Sequence, residues 1–250
     1  MQKLSIIIPA MNEQDGISPT LDGIPISELK SLGVSVEAIV VDGGSTDLTV
    51  EMARARGTRT VVETRNGYGR AIKTGIEMTD GEFIAVLDAD NSYPASAIVP
   101  IIRALVSHNL DMVTTSRLEK LSPGSMTPLH LLGNRLLSLA TQLLFRIRLN
   151  DSQSGMWVAR RDRMLPIELF SDGMAFSQEV KIRHFIIGKC LEVPIEYHAR
   201  IGQAKLEFMR DGMQNLAEII RLRRSVSAGE ERQRPAMLPP KHRKNASRTG

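Results

Sequence analysis

Two aspartates one residue apart, Asp88 and Asp90, follow directly on the apolar run Phe83-Ile84-Ala85-Val86-Leu87. Side chains two positions apart on an extended chain point to the same side. Just past a strand end, both carboxylates can face one ion, or one can hold a ribose while the other holds a metal. Mg2+ and Mn2+ prefer oxygen ligands, and such a site commonly takes one or two carboxylates and completes its shell with phosphate oxygens and water. The pair therefore suits a cation held against a diphosphate. Two more polar clusters, Pro9 to Glu13 and Asp42 to Ser45, also close apolar runs. Ligands of an open parallel sheet bind beyond the carboxyl ends of its strands, so the three clusters converge if their strands are neighbours. Glu13 or Asp42 taken singly reads as a cap or turn carboxylate; the three together favour a nucleotide ligand. The five histidines, His108, His130, His184, His198 and His242, are scattered and read as surface or packing residues.

The elements that must position these groups alternate. Strands are expected at 4–9, 36–41, 59–63, 82–87 and 110–115. Helices are expected between them: from Glu13 to Leu32, interrupted by Pro19, Gly23 and Pro25; from a cap at Thr46 or Asp47 to Arg56; from Gly69 to Met78; and from Pro94 to Ser107. Such alternation implies a mostly parallel sheet covered on both faces. Beyond Arg117 the pattern changes. A loop at 121–128 precedes a long helix, 129–148, whose Leu132, Leu136, Leu139, Leu143 and Ile147 form one stripe. A short strand at 155–160, a helix at 177–187, a strand at 189–195 and an amphipathic helix at 209–224 follow. The last presents Met213, Leu216, Ala217 and Ile220 on one face.

Composition narrows the classes. Of 250 residues only 4% are aromatic, which argues against a stacking surface for single strands, and no nucleic-acid partner is expected. The single cysteine, Cys190, excludes an intrachain disulfide and reads as a small core residue; a cytosolic protein is the simplest reading. No leader is expected before the first strand, and the longest apolar stretch, 131–149, is broken by Asn134, Arg135, Gln142, Arg146 and Arg148, so it cannot span a membrane. The net charge of +4 is uneven: residues 221–250 hold nine Lys and Arg against two Glu, a net of +7, leaving −3 for the rest. A basic tail, expected to be disordered over 227–250, fits contact with an anionic surface or a solvated terminus.

The motifs Ile8-Pro9-Ala10-Met11-Asn12-Glu13, Val41-Asp42-Gly43-Gly44-Ser45-Thr46-Asp47, Gly67-Tyr68-Gly69 and Leu87-Asp88-Ala89-Asp90, in this order, resemble those of family 2 glycosyltransferases. Thr115-Ser116-Arg117, Asp151-Ser152-Gln153-Ser154-Gly155 and Arg200-Ile201-Gly202-Gln203-Ala204-Lys205 are similar to one branch, the polyprenyl-phosphate sugar synthases. The resemblance covers roughly residues 3–220 and is specific as a set. It implies a GT-A fold, Rossmann-like, with a nucleotide-sugar-binding half at 1–117 and an acceptor half at 118–226 whose C-terminal helices lie at a membrane interface.

By the same resemblance, Pro9, Met11, Glu13 and Asp42 line the nucleotide pocket, Ala89 sits within it, and Asp88 and Asp90 hold Mg2+ or Mn2+. Met11 replaces the family's Tyr, Gly43 its second Asp, and Ser92 a Gln often found beside the metal. Arg117 matches a phosphate-binding arginine, and Arg200 and Lys205 a basic pair in a loop that closes over the diphosphate. Arg135, Ser154 and Glu179 are acceptor-side candidates; a cap or ion pair is an equal reading of Glu179. The implied activity is inverting transfer of a hexose or N-acetylhexosamine from a GDP- or UDP-linked sugar to a polyprenyl or dolichyl phosphate. The implied place is the cytoplasmic face of a membrane, held peripherally. A transferase for a soluble phosphorylated acceptor such as 3-phosphoglycerate, and a non-catalytic nucleotide-sugar binder, remain the alternatives.

Overall fold

Period-two apolar patterning builds the centre of the computed structural model, which describes residues 1–202 and 208–227. In β1 (Gln2–Ala10), Leu4, Ile6 and Ile8 join one buried cluster while Ile7 joins another. The sheet is thus apolar on both faces and is covered on both. One layer comes from α1 (Gln14–Asp22), α2 (Ile26–Ser31) and α5 (Ile98–Ser107), the other from α4 (Tyr68–Glu77) and α8 (Phe176–Ile187). The remaining strands are β2 (Val34–Asp42), β3 (Arg59–Val62), β4 (Phe83–Val86), β5 (Met112–Leu121), β6 (Trp157–Arg160) and β7 (Cys190–Tyr197), and α3 (Thr49–Ala55) lies between β2 and β3. The seven strands run in the order β3-β2-β1-β4-β6-β5-β7. All neighbours are parallel except β6, which is antiparallel to both β4 and β5.

Several expected boundaries move. The helix expected from Glu13 to Leu32 breaks at Gly23 and Pro25 into α1 and α2. Asp47 rather than Thr46 serves the start of α3, where its Oδ1 accepts from the Thr49 backbone N–H at 3.0 Å. Pro94 precedes a short 3-10 turn, Ala95–Ala97, and α5 begins only at Ile98. The strand expected to stop at Thr115 continues to Leu121, because β7 pairs with it as far as Leu121 opposite Tyr197, across an irregularity between Ser116 and Lys120. Arg117 therefore lies within β5, and the expected division of the chain at 117 falls inside a strand whose sheet includes β6 and β7. A short helix, α7 (Arg161–Met164), has no counterpart in the sequence reading. Cys190 is half-buried, with its thiol pushed up to about 12 by burial and by Asp111.

The helix α6 (Pro128–Phe145) is the least ordinary element. Thr127 caps it by accepting from the His130 N–H, and Pro128 occupies the first turn, where its missing N–H is harmless. Its buried residues are polar, Ser138 and Thr141, while Leu132, Leu136, Leu139 and Leu143 point outward. The polar side is inward because hydrogen bonds take it there: Ser138 bonds Ser152, and Gln142 donates to the Leu149 carbonyl at 3.0 Å. The neighbouring α9 (Phe208–Ser227) buries Ile219 and Leu222 and leaves Met213, Leu216 and Ile220 exposed. Exposed Arg135, Arg146 and Arg148 accompany the leucine face. No helix among the described residues is long and apolar enough to cross a membrane. Lys205 and the tail from 228 onward lie outside the described residues.

Candidate active site

The register of β1 with its neighbours brings the three polar clusters together. Ala10 lies opposite Asp42, and Ile7 lies opposite Val86, with the Leu87 N–H donating to the Ile7 carbonyl at 3.1 Å. The loop after β7 joins them: the His198 N–H donates to the Ser92 carbonyl, and the Ile201 N–H to the Asp90 carbonyl. Arg200 is thereby held between two of the expected carboxylates. Its Nη2 stands 3.1 Å from Glu13 Oε1 and 3.5 Å from Asp90 Oδ2. Asp90 is otherwise fixed by its own turn, accepting from the Ser92 N–H at 3.0 Å and the Ser92 hydroxyl at 2.6 Å. Ser92 thus orients Asp90 rather than adding a ligand of its own.

Asp88 is held from the other side. The Tyr68 hydroxyl, at the start of α4, donates to its Oδ1 at 2.7 Å. Gly155 passes so close that a Cβ there would stand 2.6 Å from Asp88 Oδ2. Burial and then the neighbouring Asp90 charge push the Asp88 carboxyl up to about 7, against the pull of Tyr68, Arg117 and Arg200. A carboxylate whose ionisation is opposed by its own surroundings is the kind a cation relieves. Among the described residues no cluster of three or more His, Cys, Asp or Glu is arranged to hold a metal. Asp88 and Asp90 fit a Mg2+ or Mn2+ that takes its other ligands from diphosphate and water.

The pocket residues divide. Pro9 is buried at the end of β1, Ala89 is buried, and Met11 is exposed beside Gly43. The Asp42 carboxylate accepts from the Gly44 and Ser45 N–H groups, both at 3.0 Å, and from the Ser45 hydroxyl. That closed turn leaves Asp42 nearly sealed. Asn12 laces the same two loops together, its Oδ1 accepting from the Thr46 N–H at 2.7 Å.

Arg117 is buried in a two-point pair with Asp151: Nε to Oδ2 at 2.7 Å and Nη2 to Oδ1 at 2.9 Å, with the guanidinium over the Tyr197 ring. Burial works against both charges, yet each holds the other ionised, with Arg117 raised well above its usual value and Asp151 lowered. Ser154 is buried and shares a 2.7 Å hydrogen bond with Thr115. Glu179 is fully enclosed, accepting from the Phe170 and Ser171 N–H groups and from Arg183 Nε at 3.0 Å. These bonds fasten the 170–171 loop to α8. Arg135 is exposed on α6 and is joined to neither Asp88 nor Asp90 by a hydrogen bond or ion pair among the described residues.

Sequence reasoning passed over Tyr68, Asp151 and Gly155 as individual actors, although each stands in a motif that it singled out. Lys181 carried no signal at all: it is one lysine between Val180 and Ile182 in a helix buried from Phe176 to His184.

Comparisons with known proteins agree with this geometry. The sequence profile of glycosyl transferase family 2 matches residues 5–164. The chain is 34% identical over 218 residues to the low-salt glycan biosynthesis hexosyltransferase Agl6 of Haloferax volcanii, covering 85% of this chain and 52% of that protein. It therefore spans about half the length of that relative. It is 29% identical over 205 residues to the dolichyl-phosphate hexose transferase of the same organism, covering 82% of this chain and 86% of the other. Glucosyl-3-phosphoglycerate synthase of Mycobacterium tuberculosis, solved with Mn2+, UDP and phosphoglyceric acid, aligns with a TM-score of 0.67 at 23% identity, covering 89% of this chain and 78% of that one. A complex of the same enzyme with Mg2+ and UDP gives a TM-score of 0.69 at 24% identity. That likeness is one of fold. With the profile match spanning most of the sheet and both aspartates, the chain belongs to glycosyl transferase family 2.

Proposed function

We propose that the chain is an inverting glycosyltransferase that moves a hexose or N-acetylhexosamine from a GDP- or UDP-linked sugar to a polyprenyl phosphate, with Mg2+ or Mn2+, at the cytoplasmic face of a membrane. The observation that carries the lipid acceptor is the outward leucine face of α6, flanked by arginines and hydrogen-bonded on its inner side to the loop that pairs with Arg117. A helix of that kind suits the interface between headgroups and acyl chains. A soluble acceptor gives it no task. The relative that acts as a dolichyl-phosphate hexose transferase supports the same reading.

The chemistry needs little from the protein beyond positioning and charge. A phosphate oxygen of the acceptor bonds to the anomeric carbon as the bond from that carbon to the donor diphosphate breaks, and the electron pair leaves with the nucleoside diphosphate. A phosphate monoester has a second pKa of about 6, so the acceptor is largely a dianion at neutral pH and attacks without a base. The enclosure of Glu179 is in keeping with that. A divalent cation at Asp88 and Asp90 would neutralise charge on the departing diphosphate. Arg117 and Arg200 are the cations placed to let two anions approach each other.

A donor panel of GDP-mannose, UDP-glucose and UDP-N-acetylglucosamine tests the proposal, each offered with a short-chain polyprenyl phosphate and with 3-phosphoglycerate. The expected result is metal-dependent transfer to the lipid phosphate alone, abolished by chelation and in Asp90→Ala. Transfer to 3-phosphoglycerate without transfer to lipid phosphate refutes the acceptor. Undiminished turnover in Asp90→Ala refutes the metal site. Nucleotide-sugar binding without any transfer identifies a non-catalytic binder.

A further inference from the structure

The loop from Asn150 to Gly155 is bonded to β5, β7, α6, α8 and α9, and a buried lysine lies beneath it. Lys181, on α8, is fully enclosed. Its Nζ donates to the Asp151 carbonyl at 3.2 Å and to the Ser154 carbonyl at 2.6 Å. The first of these anchor residues also carries the carboxylate that grips Arg117. Immediately after them comes Gly155, packed against Asp88 and fixed by its N–H to the Tyr93 hydroxyl at 2.6 Å. Glu192 of β7 holds the loop's entry, accepting from the Asn150 and Asp151 N–H groups, both at 2.7 Å. Gln153 ties it to α8 and α9 through Gln178 and Asn215, and Ser152 ties it to α6 through Ser138.

An enclosed ammonium is an expensive way to hold two carbonyls. Burial pushes Lys181 down to about 7, with Asp151 pulling it back up and Arg117 pushing it further down. A buried ion pair replaced whole by apolar side chains often loses no stability, whereas a group removed alone leaves its partners unmet. Lys181 faces two carbonyls and the Asp151–Arg117 pair rather than apolar side chains, so its ammonium answers to those groups and not to packing.

We propose that Lys181 is a positioning residue for glycosyl transfer: by clamping the Asp151 and Ser154 carbonyls it sets the placement of Arg117 relative to Asp88, and hence of the acceptor phosphate relative to the donor diphosphate. This rests on the roles given above to Arg117 and Asp88. Lys181 touches neither substrate in this scheme. It acts through the loop, and a shift of about 1 Å between reacting groups is enough to lower turnover about 100-fold.

The test compares Lys181→Met, which removes both donors at nearly constant volume, with Lys181→Gln, which keeps an N–H donor without charge. Each is made in the full chain. Three quantities are read: Tm, kcat with the donor KM, and the Arg117 Nε–H resonance in 15N-arginine-labelled protein, assigned by its loss in Arg117→Lys. For K181M the expectation is a Tm within about 5 °C of the wild type, since relief of the buried charge offsets two unmet carbonyls, with a kcat lowered about 10- to 100-fold and a donor KM within about twofold. The Arg117 resonance should move and its proton exchange faster. K181Q should fall between the wild type and K181M in both kcat and exchange. A folded K181M with wild-type kcat and an unmoved resonance overturns the proposal, as does a fall in Tm with kcat per folded molecule unchanged. If K181M does not fold, K181Q decides: wild-type kcat and resonance overturn the proposal, and a partial fall with a shifted resonance supports it. The resonance needs no substrate, so failure of the lipid-acceptor reading leaves this test standing.

Discussion

Replacing the four outward leucines of α6 separates a surface made for a membrane from one that merely stands exposed. Leu132, Leu136, Leu139 and Leu143 are 55%, 57%, 50% and 71% exposed. Fully burying a leucine is worth roughly 1.5–3 kcal/mol, so side chains that keep half their surface open each have about 1 kcal/mol still to gain. Four together offer about 4 kcal/mol, close to a thousandfold in partitioning at about 1.4 kcal/mol per decade. A quadruple Leu→Gln variant keeps helix propensity while removing that gain. Sedimentation with anionic phospholipid vesicles at high salt, where the arginines are screened, should show binding by the wild type and a loss of two to three decades in the variant (about 4 kcal/mol at most). Transfer to a long-chain acceptor in vesicles should fall with it, while transfer to a short, water-soluble lipid phosphate should not. Because these side chains lose no core packing, Tm should move by no more than about 5 °C. A folded variant that binds vesicles like the wild type refutes the membrane role. A Tm loss well beyond that range refutes the premise that the face is free, and points to a partner copy covering it.

Three further outcomes follow from the site. Asp151→Asn leaves the buried Arg117 guanidinium without its countercharge; breaking such a pair costs about 3–5 kcal/mol, which urea denaturation would read as a lowered midpoint with an unchanged m-value. Gly155→Ala places a methyl where a Cβ stands 2.6 Å from Asp88 Oδ2; metal-activated turnover should fall at least tenfold, on the order of 1.4 kcal/mol of barrier, and an alanine variant with wild-type metal activation would show that this face of Asp88 is idle. Lys181 gives a pH signature whose sign is opposite to that of a lysine in a favourable ion pair. Its folded pKa lies near 7, below its ordinary 10.5, so between those values the unfolded chain holds more protons and stability rises with pH. The penalty is full below about pH 7 and lifts by roughly 1.4 kcal/mol per unit above it. The wild type should therefore gain about 2–3 kcal/mol on K181M between pH 7 and 9, and parallel stability curves would show that Lys181 titrates normally.

Much of the chain up to Arg117 was legible because its signals are local. Apolar runs closed by Pro9 to Glu13, Asp42 to Ser45 and Asp88 to Asp90 mark strand ends, and parallel neighbours bring strand ends together. The Asp47 cap was legible for the same reason, and Pro94 marked the 3-10 turn that leads into α5. What lies at the surface or across the sheet was less so. The stripe on α6 was visible as a period, but a period does not say which side faces the protein. Only the hydrogen bonds of Ser138 and Gln142 to the 149–152 segment decide that, and those are contacts between separate stretches of chain. Glu179 read equally as an acceptor-side group and as a cap or ion pair, and its bonds to the 170–171 loop and Arg183 join stretches of chain that no local pattern links.

The antiparallel strand explains why the chain beyond Arg117 was the harder part to read. A parallel β6 would have carried residues 151–155 to the far edge of the sheet, away from the aspartates. Running the other way, β6 starts at the edge where β4 ends, with Trp157 opposite Val86 and Thr114. The residues just before it are delivered beside Asp88, and the reversal turns a linker into a wall of the site. Strand direction leaves no local mark in four residues, Trp157 to Arg160, that are apolar at three positions either way. The consequence reaches α6 and α9 as well, because the same loop is bonded to both. A displacement of the leucine-faced helix would pass through Ser138 to Ser152, within one residue of the carboxylate that holds Arg117. Vesicle binding and kcat should therefore respond together to substitutions at Ser138, whereas Asp88 and Tyr68 variants should lower kcat and leave vesicle binding untouched.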